Sequence, residues 1–252
     1  MLSRKSLIVL FAGLVLVGCG GSGSGLINPQ TPRVRLFNGA DGQATMFASY
    51  QDANLRSLGF SPNAAYGAAT TDTLIANTTA TATIHVSTGT LFTTAPTLFR
   101  ENSFYSLYVY GSAFLGSHGL VLADSQSVSA GQTFGIRAVQ LGTKNQNVDV
   151  YVQTGITPLN PASLVFSGVG FGMVSSAANT VQAVDTNGYV LQALGGNTLY
   201  TVSITTQGTT TPLAATTVTV TPGSYYTVVV YDAPTGAATQ TSVSVLTDRR
   251  SS

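Results

Sequence analysis

Charge is the scarcest property of this chain. Only 8% of its 252 residues are Asp, Glu, Lys or Arg, and ten cations against nine acids leave a formal net charge of +1. A nucleic-acid partner is excluded on that ground, because displacing counterions from phosphates takes clustered cations. The adjacent basic pairs here are Arg4-Lys5 and Arg249-Arg250, at the two ends of the chain. Tryptophan is absent and cysteine occurs once, as Cys19. One thiol makes no internal disulfide, so the folded part is held by apolar burial alone. A zinc centre needs three or four closely spaced ligands, and His85, His118 and Cys19 do not supply them. No metal or other cofactor is expected.

A long apolar run is missing too. The longest uncharged apolar stretch, from Leu7 to Gly18, has twelve residues, whereas crossing a bilayer core takes about 20. With Arg4 and Lys5 in front of it, the stretch reads as residues 1–18 of a secretory signal. Its end, Leu16-Val17-Gly18-Cys19, resembles the bacterial lipobox. That resemblance implies cleavage before Cys19, a diacylglyceryl group on the Cys19 sulfur, and acylation, typically with palmitate, of the new amino terminus. Two or three acyl chains anchor stably where one is marginal. Gly20 rather than Asp after the cysteine implies the outer membrane. Losing residues 1–18 removes Arg4 and Lys5 and leaves eight cations against nine acids, a net charge near −1.

The Gly/Ser tract that follows has no side chains to bury, and residues 19–32 read as a flexible tether. Gly18, Gly20 and Gly23 spell G-x-G-x-x-G, but a dinucleotide fingerprint needs a strand before it and a helix after it, and cleavage would take its first glycine.

What the chain has in plenty is Thr, Val, Tyr and Phe, which favour strands. Beyond Pro32 it reads as β-prone runs at 33–37, 45–50, 80–87, 106–110, 119–123, 135–141, 148–153, 181–184, 200–205, 216–221, 225–231 and 241–246. In the run 81–87, Ala82, Ile84 and Val86 fall on one face and Thr83, His85 and Ser87 on the other. The run 226–230 is apolar on both faces and belongs at the centre of a sheet. Turns are expected at Asn38-Gly39, Asp41-Gly42, Asn187-Gly188, Gly195-Gly196 and Pro222-Gly223.

The two halves of the body repeat one another. Arg33-Val34-Arg35-Leu36 returns as Gly135-Ile136-Arg137-Ala138, Tyr66-Gly67 as Phe171-Gly172, and the stretch 102–110 as 222–231. Leu120 to Asp124 closes the first copy as Val243 to Asp248 closes the second. The pattern predicts an all-β protein of two tandem immunoglobulin-like antiparallel β-sandwich domains, 33–128 and 135–248. Val148-Asp149-Val150-Tyr151-Val152 followed by Gly223 to Tyr231 resembles the bacterial domain of unknown function 4397. That resemblance implies an envelope location and the tandem sandwich, and it brings no activity. The family's opening His/Asn-Ala-Ser-Pro-Asp-Ala-Pro is replaced by 38–42 in one copy and 142–147 in the other.

Motifs for chemistry are few. Nucleophilic hydrolysis needs a serine or cysteine beside an oriented base, and no G-x-S-x-G or S-x-x-K occurs. His85 is expected on the wet face of a strand and His118 in a turn. Asp185-Thr186-Asn187-Gly188 offers oxygens for calcium but suits a hairpin turn better. Glu101 is the one glutamate, and no acid pair stands out for glycoside cleavage. Tyr105, Tyr108, Tyr110, Tyr225, Tyr226 and Tyr231 pack a core or, alternatively, form a sugar- or protein-binding face. The expectation is a lipid-anchored envelope protein, not an enzyme, with a structural or binding role and the membrane as partner through Cys19; an envelope protein or glycan ligand is left open. The alternatives are an anchored enzyme, glycan-acting, with a loop-built site, and an integral outer-membrane β-barrel.

Overall fold

The computed structural model describes residues 31–112, 115–124, 131–145, 147–155, 158–196, 198–234, 237 and 239–248. The expected signal at 1–18, Cys19 and the tether up to residue 30 lie outside the described residues. No helix among those described is long and apolar enough to cross a membrane.

The protein is all-β and sandwich-like. The first half holds β1 (Arg33–Ala40), β2 (Thr45–Asp52), β3 (Ser57–Phe60), β4 (Ala64–Ala65), β5 (Thr73–Leu74), β6 (Thr79–Val86), β7 (Gly89–Thr93), β8 (Thr97–Leu98), β9 (Phe104–Ser112) and β10 (Gly116–Ala123). The second holds β11 (Thr133–Gln140), β12 (Asn147–Thr154), β13 (Leu164–Gly170), β14 (Met173–Val174), β15 (Val190–Ala193), β16 (Leu199–Thr206), β17 (Pro212–Thr219), β18 (Tyr225–Asp232) and β19 (Thr241–Asp248). Two 3-10 turns, Pro161–Ser163 and Ala177–Asn179, interrupt the second half.

Each half pairs an outer sheet with an inner one. The outer sheets run β3-β2-β6-β7, with β4 on β2 and β8 on β6, and β13-β12-β16-β17. The inner sheets run β10-β9-β1-β5 and β14-β11-β18-β19, with β15 also on β11. Among the described residues no ladder joins one half to the other, and the four sheets are open, so the integral-barrel alternative is overturned. The ladders are antiparallel except at one matching place in each half: β1 lies parallel to β9 and β11 parallel to β18. The strand that enters each half therefore fills the slot beside the penultimate strand, and the purely antiparallel expectation needs that amendment.

Alternation decides the faces. Val34, Leu36, Leu107 and Val109 point into the first core, against Ala48, Tyr50, Ala82 and Ile84 from the outer sheet. Ile136, Ala138, Val228 and Val230 point into the second core, against Val148, Val150, Val202 and Ile204. The intervening residues of the inner sheets face the other half. Phe37 and Tyr108 meet Val139, Leu141 and Val229 in a third apolar cluster, flanked by Tyr110, Leu120, Tyr231 and Leu246. The layers thus stack outer, inner, inner, outer.

Two sequence expectations are corrected here. Asn38-Gly39 is not a turn: both residues lie within β1, and buried Asn38 uses its amide to reach the Gln43 and Ala64 carbonyls. The run 181–184 is not a strand: Val181 is fully exposed, and Val184 makes only an isolated bridge to Val190. The turn at Asp41-Gly42 and the central position of β18 are as expected.

Candidate functional site

The strongest concentration of polar chemistry lies where the inner sheets meet. Arg35 on β1 and Arg137 on β11 project from the inner sheets toward the opposite half, and Asp124 and Asp248 stand at the ends of β10 and β19. All four are buried. Arg35 Nε donates to Ser106 Oγ at 2.7 Å, and that hydroxyl donates to Asp124 Oδ1 at 3.0 Å. Arg137 Nε donates to Thr227 Oγ1 at 2.8 Å, and that hydroxyl donates to Asp248 Oδ2 at 2.6 Å.

The remaining guanidinium nitrogens cross to the other half. Arg35 Nη1 donates to the Thr247 carbonyl at 2.8 Å, and Arg137 Nη1 to the Ala123 carbonyl at 2.8 Å. Arg35 Nη2 pairs with Asp248, and Arg137 Nη2 with Asp124 at 2.7 Å. Each arginine therefore holds a hydroxyl of its own half, and a carbonyl and the following carboxylate of the other. Such a reciprocal pattern is what a twofold axis gives an interface between identical subunits.

The symmetry is incomplete: Arg35 Nη2 also lies 3.5 Å from Asp124 of its own half, Arg137 Nη1 also donates to the Asn187 carbonyl at 3.4 Å, and Tyr189 adds contacts in the second copy. Tyr189 donates to Asp248 Oδ2 at 2.6 Å, and the Arg137 guanidinium sits 4.5 Å from the Tyr189 ring. Burial works to lower the pKa of both arginines, but the surrounding aspartates and tyrosines, Asp124 foremost for Arg35 and Tyr189 for Arg137, outweigh it and hold both above the ordinary value. Burial and the neighbouring Asp248 charge push Asp124 up, against the pull of both arginines and the Ser106 hydroxyl. Burial also raises Tyr108 and Tyr189.

The same pseudo-symmetry recurs at the far end of the strands. The Tyr231 ring covers Gly67, where a Cβ would lie 2.7 Å from its hydroxyl, and the Tyr110 ring covers Gly172, where a Cβ would lie 2.9 Å from the ring. Tyr66 meets Tyr231 edge-on at 5.7 Å, and Phe171 meets Tyr110 edge-on at 5.4 Å. Tyr66 also donates to the Asp232 carbonyl at 2.5 Å.

The histidines lie elsewhere. His85 is on the outer face of β6, as the alternation predicts, stacked on Phe47 at 4.7 Å and 19°. Its Nε2 is 2.8 Å from Ser49 Oγ, a hydroxyl–base contact the sequence did not reveal, while its Nδ1 faces Thr90 Oγ1 at 3.4 Å, not a carboxylate. A groove of about 230 Å³ opens beside it. His118 is not in a turn: it lies in β10, paired with Tyr110 of β9, and its Nε2 faces the Leu115 carbonyl at 3.2 Å. Asp185 Oδ1 accepts from the amides of Asn187 and Tyr189, which closes the turn at Asn187-Gly188 and occupies an oxygen that calcium would need. Among the described residues no three His, Cys, Asp or Glu side chains gather at metal-binding distance. A groove of about 300 Å³ runs between β10 and residues 174–188, with Arg137 in its lining. The six tyrosines do not form an exposed face: Tyr105, Tyr108, Tyr225 and Tyr226 are buried, and Tyr110 and Tyr231 lie in the contact between halves.

No protein-family model matches the chain, and no curated protein matches it. Among solved structures it is similar to a candidate cell adhesion protein of Bacteroides fragilis, at 10% identity over 86% of this chain and 97% of that one, with a TM-score of 0.24. A candidate cell adhesion protein of Bacteroides eggerthii aligns at 12% identity over 88% and 97%, with a TM-score of 0.23. The tip fimbrial protein Mfa3 of Porphyromonas gingivalis, with a C-terminal truncation, aligns at 8% over 87% and 99%, with a TM-score of 0.22.

Proposed function

We propose that this chain is a lipid-anchored cell-envelope protein whose folded body serves a structural or binding role. The observation that carries the reading is the engagement of Arg35, Arg137, Asp124 and Asp248, the buried charges between the halves, with one another in a reciprocal brace. The groups best suited to chemistry by charge and burial thus engage one another across the halves, and of the four only Arg137 also lines the groove beside β10. The lipobox at Leu16 to Cys19 supplies the location, and the proposed kinship with the domain of unknown function 4397 rests on the repeat residues. Anchored at Cys19, such a module presents two stacked sandwiches to the envelope, with outer-sheet faces rich in hydroxyls for a protein or glycan partner.

Cys19→Ala in the full chain tests the anchor. Palmitate incorporation should disappear and the protein should leave the membrane pellet; undiminished labelling would contradict the proposal.

A further inference from the structure

The two ends of the molecule differ in what they expose. Arg35 and Arg137 meet at one level, and farther along the strands Gly39 lies against Leu141, so β1 and β11 run in the same sense. Corresponding ends of both halves therefore sit together. At one of them the chain arrives from Cys19: Arg33 opens β1, beside Leu74 of β5 and Phe104 of β9.

Ten large apolar side chains are exposed among the described residues: seven leucines, of which six are at this end, with Phe60, Met173 and Val181. Leu55, 76% exposed, is in the β2–β3 turn. Leu74, 56% exposed, pairs with Arg33, and Leu98 pairs with Thr79 at the start of β6. In the second half Leu164 opens β13, Leu199 opens β16, and Leu191 of β15 pairs with Gly135. Leu115, in the β9–β10 turn, and Met173, beside Gln140, are at the opposite end. Scattered single leucines need no explanation, whereas six gathered at one end of a charge-poor molecule do.

Charge at this end is balanced among the described residues. Arg33, Arg56 and Arg100 are matched in number by Asp52, Asp72 and Glu101, and the Arg56 amide donates to Asp52 Oδ1 at 2.9 Å. From Cys19 to Thr31 an extended chain reaches about 40 Å at most, so a lipid on Cys19 keeps this end within reach of the bilayer. We propose that the leucine-bearing end seats on the lipid surface that holds the Cys19 anchor, with its leucines in the headgroup–acyl boundary. The contact is apolar, so it needs no anionic lipid and survives salt. This proposal rests on the anchored reading above.

The test uses full-length lipidated protein in phosphatidylethanolamine–phosphatidylglycerol vesicles, with Leu55→Cys, Leu74→Cys, Leu191→Cys or Leu115→Cys carrying a polarity-sensitive fluorophore. The lipid blocks the native thiol. Blue-shifted emission, quenched by spin-labelled lipid at 55, 74 and 191 but not at 115, and unchanged in high salt or without phosphatidylglycerol, is the expected result. Equal, water-like emission at all four sites in protein that carries palmitate would overturn the proposal and leave the anchor standing. If palmitate is missing, the anchor reading fails, and the unlipidated protein added to the same vesicles decides the surface: quenching at the three sites upholds it, and none overturns it.

Discussion

Burying a guanidinium alone costs several kcal/mol, and leaving its carboxylate partner unpaired costs as much again. Arg35 and Arg137 avoid this by using Nε and both terminal nitrogens on named acceptors, inside a cluster whose two arginines and two aspartates sum to zero. The repeat in the sequence aligns Arg35 with Arg137 and Asp124 with Asp248, but nothing in the spacing tells that each arginine reaches the other copy's acid. Tyr50, Tyr108 and Tyr189 are raised above the ordinary value of 10, in each case chiefly by burial. The folded state then holds protons that the unfolded state releases, so the stability these groups contribute is complete below pH 10 and falls as pH rises beyond it. Titrated by tyrosinate absorbance, Tyr50, Tyr108 and Tyr189 should ionise only together with loss of the β signal in circular dichroism. All 11 tyrosines ionising in one step near pH 10 with the fold intact would contradict this.

Among the elements, the long strands with clear alternation were legible, because a buried face imposes period two on the side chains. β3, β7, β13 and β15 were not: they lie at sheet edges or are four or five residues long, and β13 carries two glycines that break its pattern. The run 181–184 has the composition of a strand without a sheet edge to join. Tyr66-Gly67 and Phe171-Gly172 were visible as repeat residues, but their purpose emerges only when the other half's tyrosine covers each glycine. Gly67 and Gly172 have φ of +71° and +70°, where a side chain costs roughly 1–2 kcal/mol, and a methyl would also displace the ring above it. Gly67→Ala is therefore expected to lower unfolding free energy by about 2 kcal/mol or more in denaturant titration. Adding Tyr231→Leu should recover part of the loss. Strict additivity of the two changes would mean that the ring does not press on Gly67.

At the scale of the whole molecule, the sequence made the all-β character and the internal repeat plain, because both are written in local pattern. How the copies meet was not written locally. The contact joins residues up to 213 positions apart, as in Arg35–Asp248, and its reciprocity mirrors a twofold dimer made within a single chain. The inner sheets bury Phe37, Tyr108, Val139, Leu141 and Val229 between them, so opening the contact exposes apolar surface and strands the four buried charges at once. The two sandwiches should consequently unfold as one cooperative body despite separate cores. Calorimetry of the whole protein and of Arg137→Met tests this most directly. Removing one partner of a buried ion network costs about 3–5 kcal/mol. A single transition is expected in the native protein and should move down as a unit in the variant; two transitions, of which Arg137→Met lowers only one, would show two independent bodies.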